Sequence, residues 1–199
     1  HTIHISIRSN DNIVVTQILH IVFNVQSGLQ QIEFFILVNN FFGHAITYPS
    51  HDGWGRRAKK ILSSFHAQPD DVLLHVTNLR GSFYPGFQFW NCSSHLSDEE
   101  IQRDLSLLTT IAENGWCDTA RDVSMAGILG TAIMMLELSG VGAQINLNKL
   151  RQPASASDRF FDWLCCFPSY GFILSVRPWH VSDVQHIFHE YEISCSSIG

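Results

Sequence analysis

The stretch from Met125 to Glu137 constrains the fold more than any other, because its residues are apolar on nearly every side of a helix. Such a helix has to be covered by other elements. Ser139-Gly140 is typical of a helix end. Glu137 and several glycines interrupt the apolar run, which favours a buried helix over a membrane span. A chain of 199 residues, 45% of them apolar, is long enough to build the surrounding core.

The pattern on either side of this helix predicts a layered domain. Ser97 and Glu100 form a capping box before an apolar helix that Gly115 ends. The further predicted elements are a helix over Ala58–Phe65, strands over Val72–Thr77 and Val141–Leu147, a helix over Phe160–Cys166, a strand over Phe172–Val176, a helix that Ser182 caps and a last strand over Ile193–Ile198. This order predicts an α+β (α/β layered) fold, a mixed sheet with helices packed on it.

The first 53 residues differ from the rest in composition. Residues 1–50 are rich in Ile, Val, Phe, Asn and Gln, and carry only three charged side chains, Arg8, Asp11 and Glu33. Three of their segments have strand-like composition, namely Asn12–Val15, Leu19–Val25 and Ile32–Val38. We expect residues 1–53 to form a strand-rich leader, or the remnant of an N-terminal domain, before a main domain over residues 54–199. A first residue other than Met is consistent with a fragment or a processed chain.

The charge balance excludes a broad nucleic-acid-binding face. Lys and Arg total 12 against 18 Asp and Glu, a formal net charge of −6, whereas nucleic-acid-binding surfaces are basic. The five cysteines are odd in number and lack C-x-x-C spacing, which favours a reducing compartment. No signal peptide is recognisable. We therefore expect a cytoplasmic protein that binds neither nucleic acid nor a membrane.

The loop that enters the apolar helix is the strongest candidate site. A helix start presents free amides and the positive end of the helix dipole, and both suit phosphate or carboxylate. Within this loop, Asp122 can hold a metal–phosphate group or a substrate hydroxyl, and Ser124 can cap the helix or bind an anion. Gly127 permits close approach by another backbone or by a ligand. The alternative is that Asp122 and Ser124 are merely caps.

Two residues outside this loop are further candidates. Arg80 follows the strand over Val72–Thr77, a common place for a ligand loop, and can clamp a phosphate; an ordinary surface arginine is the alternative. Trp90-Asn91 can stack on a ring and hydrogen-bond it, and the alternative is a core tryptophan followed by a turn asparagine. Cys117 has no recognisable activating base, so a buried thiol is expected there.

These residues carry a resemblance to a known family. Asp122-Val-Ser-Met-Ala-Gly127, followed by Glu137-Leu-Ser-Gly-Val-Gly-Ala-Gln-Ile-Asn-Leu147, resembles the C-terminal domain of AIR synthase-related (PurM-like) proteins. Three further stretches are similar to the less-characterised branch of that family: Arg57–Phe65, Phe87–Asn91 and Phe167–Val176. The resemblance covers about residues 54–199.

The resemblance implies a two-domain, usually dimeric enzyme that uses ATP and Mg²⁺ for phosphoryl transfer. In this family the N-terminal domain supplies an acidic metal-binding segment, and the C-terminal domain closes the nucleotide and substrate cleft. On this reading Asp122 is catalytic, and the substrate or phosphate is bound by Ser124, Ala126, Gly127, Arg80 and Asn91. Residues 1–50 hold two acids and no Asp-Asp pair, so the metal ligands cannot be placed.

Two other functions remain open at this stage. Without the acidic N-terminal domain, the chain could be a non-catalytic module that binds a nucleotide-like ligand or assembles with a partner half. It could also be an inactive fragment. The partner implied by the resemblance is either a second copy of the chain, in a homodimer, or the missing N-terminal domain.

Overall fold

The structure is a computed structural model that describes residues 62–199, together with the backbone of three strands before them. The strands and helices, in chain order, are β1 (Thr2–Ile3), β2 (Leu19–Gln26), β3 (Leu29–Ile36), β4 (Val72–Thr77), β5 (Ser82–Phe83), β6 (Phe89–Asn91), α1 (Asp98–Glu113), β7 (Thr119–Asp122), α2 (Gly127–Ser139), β8 (Ala143–Asn146), α3 (Phe160–Cys165), β9 (Phe167–Pro168), β10 (Gly171–Val176), α4 (Val181–His189) and β11 (Ser194–Ser197).

The central sheet holds four antiparallel strands in the order β11-β4-β10-β7. β4 is buried at five of its six positions, and β10 is buried at five of six. Strands buried on both faces read as continuous apolar runs rather than alternating ones. This explains why β4 and β10 were recognisable in the sequence as short apolar segments.

Helices cover both faces of this sheet. On one face, Gln185 of α4 donates to Ser197 Oγ of β11 at 3.2 Å, and α1 lies against α4. On the other face, the His75 ring of β4 packs edge-on against Trp163 of α3, with centroids 6.3 Å apart. α2 lies beside α3 and contacts β7 and β10. The result is an antiparallel sheet with helices on both faces, in an α+β fold.

Two smaller sheets adjoin the central one. β1, β2, β3 and β8 form a sheet in that order, so the strands of the first 53 residues pair with a strand from the main domain. Asn146 N donates to Ile198 O at 2.7 Å, which ties this sheet to the end of the chain. The third sheet, β5-β6-β9, joins the antiparallel β5–β6 hairpin to β9, which pairs with β6 in parallel.

The apolar helix is confirmed as α2, but it is not buried on every side. Its buried face includes Ile128, Ala132 and Met135, and Gly140 ends it in the left-handed conformation with φ 68°. The opposite flank is half-exposed at Ile133, and Leu138 is 59% exposed. The expectation of complete burial is therefore wrong for this flank. Among the described residues, no helix has the length and apolar character needed to cross a membrane.

The predicted strands over 72–77, 141–147, 172–176 and 193–198 and the helices begun at Ser97 and Phe160 are confirmed, with small shifts at their ends. The predicted helix over 58–65 is wrong at its end, because Ser63 instead forms a bridge to Thr119; residues 58–61 lie outside the described residues. Ser182 does not cap α4. The helix follows a 3-10 turn begun by Pro178, so its first residue falls at Val181.

The predicted strands of the leader have a mixed outcome. β2 matches the segment predicted over Leu19–Val25, and β3 matches most of the segment predicted over Ile32–Val38. The segment Asn12–Val15 lies outside the described residues.

Candidate functional site

One edge of the central sheet collects the ends of the strands that precede the predicted site residues. β4 and β7 both end there, on either side of the start of β10, with Thr77 opposite Gly171 and Asp122 opposite Phe172. Two strand spacings separate the ends of β4 and β7, which is about 10 Å. The structure thus brings Arg80 and the Asp122 loop to the same edge, although 42 residues of sequence separate them.

The Asp122 loop is held at its base and open at its tip. Val123 is buried, and its N–H donates to Gly171 O at 2.9 Å. Asp122 is exposed at the end of β7, and Ser124 is half-buried, with its N–H 3.4 Å from the hydroxyl of the fully buried Thr131. Met125 is 76% exposed. The loop therefore presents a carboxylate and a hydroxyl to solvent from a rigid base.

Neither Asp122 nor Ser124 caps the helix. The N-cap residue of α2 is Ala126, in αR conformation and without a side-chain hydrogen bond. The N–H of Gly127 donates to Ser124 O at 2.8 Å. The N-cap residue supplies no side-chain partner to the other amides of the first turn, and the amides of a helix start are a suitable feature for binding an anion. The carboxylate of Asp122 and the hydroxyl of Ser124 also remain available for a ligand.

Gly127 serves helix packing. Its φ is +70°, and a Cβ at this position would lie 2.4 Å from Leu164 O and 2.8 Å from Cys165 Cα of α3. Only a residue without a side chain lets these two helices approach so closely at this conformation. The sequence predicted that either another backbone or a ligand approaches this glycine, and the structure shows the backbone of α3 there.

Arg80 and Asn91 line one groove at the same edge. The groove has a volume of about 460 Å³, and its lining residues come from the loop after β4, the β5–β6 hairpin and the loop before α1: Arg80, Gly81, Ser82, Asn91, Ser94 and His95. Guanidinium, hydroxyl and imidazole groups are donors that suit a phosphate. Sequence reasoning missed Ser94 and His95. Their one local signal is the polar run 91–95 before the capping box.

Arg80 is oriented by two partners. Its backbone N–H donates to Asn78 Oδ1 at 2.9 Å, and its Nη1 donates to Glu192 Oε2 at 2.7 Å. The side chains of Arg80 and Glu192 are 47% and 74% exposed, and an exposed ion pair of this kind contributes about 1 kcal/mol at most. A bound anion can therefore replace Glu192 at small cost.

Trp90 and Asn91 serve the fold of the hairpin. Trp90 is fully buried, and its indole N–H donates to Asn78 O at 2.9 Å. Asn91 Oδ1 accepts from the N–H of Ser94 at 3.2 Å and from its hydroxyl at 2.9 Å. The structure thus selects the core alternative for Trp90, which cannot stack on a ligand. Asn91 shapes the loop that carries Ser94.

Cys117 is unsuited to act as a thiolate nucleophile. Its side chain is buried, and burial raises the pKa of the thiol to about 12. Within residues 62–199, no three His, Cys, Asp or Glu side chains lie close enough together to hold a metal ion. Asp122 offers one carboxylate at this edge, so a Mg²⁺ ion here would need further ligands, such as the phosphates of a substrate.

Residues 69–199 match the family model described as "AIR synthase related protein, C-terminal domain". The chain belongs to this family. The uncharacterised protein sll0787 of Synechocystis sp. is 42% identical over 162 residues, which cover 79% of this chain and 50% of that protein. The uncharacterised protein MJ0640 of Methanocaldococcus jannaschii is 28% identical over 145 residues, covering 71% of this chain and 44% of that protein. The chain thus spans about half the length of these relatives.

Solved structures show the same fold. A PurLQS structure from Thermotoga maritima superposes with a TM-score of 0.56 at 14% identity, over 69% of this chain and 23% of that one. T. maritima PurL complexed with ATP superposes with a TM-score of 0.54 at 12% identity, over 72% of this chain and 23% of that one. These likenesses extend the family assignment to the three-dimensional fold.

Proposed function

We propose that this chain is the C-terminal part of an ATP-dependent AIR synthase-like enzyme, and that the sheet edge at Arg80 and Asp122 binds the phosphate of a nucleotide or a phosphorylated substrate. The observation that carries the proposal is the convergence of Arg80, Ser94 and His95 in one groove, at the sheet edge where β7 also ends and the Asp122 loop begins. The T. maritima PurL complexes with ATP and ADP support the choice of ligand.

The residues divide the work between binding and chemistry. Arg80 supplies a full positive charge and exchanges Glu192 for the ligand's phosphate. Ser124, Ala126 and Gly127 place the uncapped first turn of α2 towards the same edge, where its amides face developing negative charge. Asp122, exposed at the end of β7, orients a substrate hydroxyl. Bound ATP would supply the transferable phosphoryl group.

The chain is proposed to act together with a further domain. It spans about half of its curated relatives, and the family resemblance predicts pairing with an N-terminal domain or a second copy, with the Mg²⁺ ligands coming from outside residues 62–199. In this proposal residues 54–199 form the AIR synthase-like C-terminal domain, and residues 1–53 are a strand-rich leader or the remnant of an N-terminal domain. All five cysteines are free thiols, which supports a reducing compartment such as the cytoplasm.

Calorimetric titration with ribose 5-phosphate tests the binding step. A charge-assisted hydrogen bond is worth about 1.5–3 kcal/mol, and the half-exposed position of Arg80 favours the lower end, so Arg80→Gln should weaken binding about tenfold. The matched control is Arg151→Gln, since Arg151 is also exposed but lies outside the groove. Equal affinities for all three proteins would refute the phosphate site.

Phosphate release from ATP with Mg²⁺ tests the catalytic step. Catalysis by this chain is supported if the 199-residue chain releases phosphate and if Asp122→Asn abolishes that release but retains ribose 5-phosphate binding. Binding of ATP without release would instead assign the chain to a binding half whose turnover needs its partner domain. If the folded protein neither binds ATP nor releases phosphate, the family membership describes its fold alone.

A further inference from the structure

A second cavity lies at the tip of the β5–β6 hairpin, away from the sheet edge. Its volume is about 330 Å³, within the size range of small-molecule pockets. Its lining includes three aromatic side chains of the hairpin, Phe83, Tyr84 and Phe87, and the ion pair of Arg159 and Asp162. None of these residues takes part in the phosphate groove.

The hairpin tip holds its aromatic rings in place with a tight turn. Tyr84, Pro85, Gly86 and Phe87 form the turn, in which the N–H of Phe87 donates to Tyr84 O at 3.3 Å. Gly86 has a φ of +74°, and Pro followed by a left-handed Gly is the pattern of a type II turn. The two aromatic residues therefore flank the turn at its first and last positions, where their placement follows from the backbone.

Two of these rings are exposed to solvent. Tyr84 is 56% exposed and Phe87 60% exposed, although aromatic side chains stabilise a protein mainly by being buried. Each ring contacts another ring edge-on. The ring centroids of Tyr84 and Phe89 lie 6.4 Å apart, and those of Phe87 and Phe167 lie 6.0 Å apart. Such contacts fix the rings before any ligand arrives, which lowers the entropy lost on binding.

The pair of Arg159 and Asp162 adds polar groups of balanced charge to the lining of this cavity. The Arg159 guanidinium lies 4.2 Å from the centre of the Phe83 ring, and its Nε donates to Asp162 Oδ2 at 2.8 Å. Because Asp162 balances the charge of Arg159, the pair has little net charge to attract a phosphate. A guanidinium plane and aromatic faces suit a flat π-electron ring, and the carboxylate accepts from a ring N–H or an amino group.

We propose that this pocket binds the planar heteroaromatic ring of the ligand, a nucleobase-like ring that carries an N–H or amino donor for Asp162. The choice of a nucleobase among planar rings rests on the proposed function above. Tyr84 and Phe87 supply the stacking surfaces, Phe83 holds the Arg159 guanidinium in place, and Asp162 determines which ring edge is accepted. The ring pocket and the phosphate groove lie on the same hairpin, one at its tip and the other at its base.

Two probes separate this proposal from the phosphate site. Adenosine carries the ring without a phosphate, and ribose 5-phosphate carries a phosphate without the ring. Stacking of one base contributes about 1–3 kcal/mol by alanine substitution, so Phe87→Ala should weaken adenosine binding at least fivefold. Phe87→Trp should retain it. Phe161→Ala is the control, since Phe161 is 79% exposed but lies outside the pocket.

The outcomes of calorimetric titration of the 199-residue chain are distinct. Loss of adenosine binding in Phe87→Ala, with ribose 5-phosphate binding and the melting temperature unchanged, supports the ring pocket. Adenosine binding with no response to ribose 5-phosphate supports the ring pocket and refutes the phosphate groove. The ring pocket is overturned if the wild type does not bind adenosine, or if Phe87→Ala and Phe161→Ala affect adenosine equally.

Discussion

His75 should make the stability of this chain fall in mild acid. Its side chain is fully buried in β4, neither ring nitrogen has a hydrogen-bond partner, and the ring packs edge-on against Trp163. Burial disfavours the charged imidazolium and lowers the pKa of His75 from 6.5 to about 4. The folded protein therefore keeps this histidine neutral at pH values where the unfolded chain protonates it.

The sign and size of the effect follow from linkage. Above pH 6.5 both states are neutral at His75, and the free energy of unfolding is unaffected. Between pH 6.5 and pH 4 only the unfolded state gains the proton, so stability is lost as the pH falls. At about 1.4 kcal/mol for each pH unit, the loss attributable to His75 is about 2 kcal/mol by pH 5 and about 3 kcal/mol by pH 4.

Urea denaturation followed by tryptophan fluorescence measures this loss. The quantity compared is the free energy of unfolding of the wild type minus that of His75→Phe, at pH 7.5, 6.5 and 5, because other titrating groups cancel in that difference. His189→Gln is the control, since His189 is exposed on α4. Parallel pH profiles for the wild type and His75→Phe would refute the account, and would mean that the imidazole finds a partner or water in the folded protein.

Four further substitutions, one of them a matched comparison, test the packing and the charges of the fold by urea denaturation. Gly127→Ala should lower the free energy of unfolding by more than about 2 kcal/mol, because its Cβ would lie 2.4 Å from a backbone oxygen. Gly86→Ala has nothing within 4 Å of its Cβ and should lower it only by the strain of a positive φ, about 1 kcal/mol. Equal losses of stability in the two variants would argue against the close helix contact. Arg177→Gln should cost about 3 kcal/mol, because it leaves the Asp71 carboxylate buried without its ion-pair partner; a loss below 1 kcal/mol would show that water reaches this carboxylate. Ser97→Ala should cost about 1 kcal/mol through loss of the capping box, and an unchanged midpoint would show that the cap adds nothing.

Local patterns predicted most of the helices and strands. The capping box at Ser97 begins α1 in the structure, and the left-handed Gly140 ends α2. The errors occur where distant residues decide the outcome. Ser63 leaves the predicted helix to pair with Thr119, and such a partner 56 residues away cannot be read from helical periodicity. One flank of α2 is exposed because no neighbouring element packs over it among the described residues. The position of such neighbours depends on the packing of the whole domain and not on the composition of the helix.

The candidate site divides in the same way. The Asp122 loop was recognisable because a carboxylate, a hydroxyl and a helix start follow one another within a few residues. Arg80 was recognisable as a residue after a strand, but Glu192, which pairs with its guanidinium, comes from 112 residues further along the chain. Ser94 and His95 join the groove only because the loop before α1 folds back onto the β5–β6 hairpin.

The sequence alone determined the α+β class, most of its helices and strands, the resemblance to the AIR synthase-related family and the loop at Asp122. These properties depend on periodicity, capping and turn chemistry, which act over a few neighbouring residues. The tertiary structure decided that β4 and β7 end at one edge, that Gly127 meets the backbone of α3, and that an aromatic hairpin tip and an Arg–Asp pair line one cavity. Strand register and helix packing join residues far apart in the chain, and their energies depend on the assembled core.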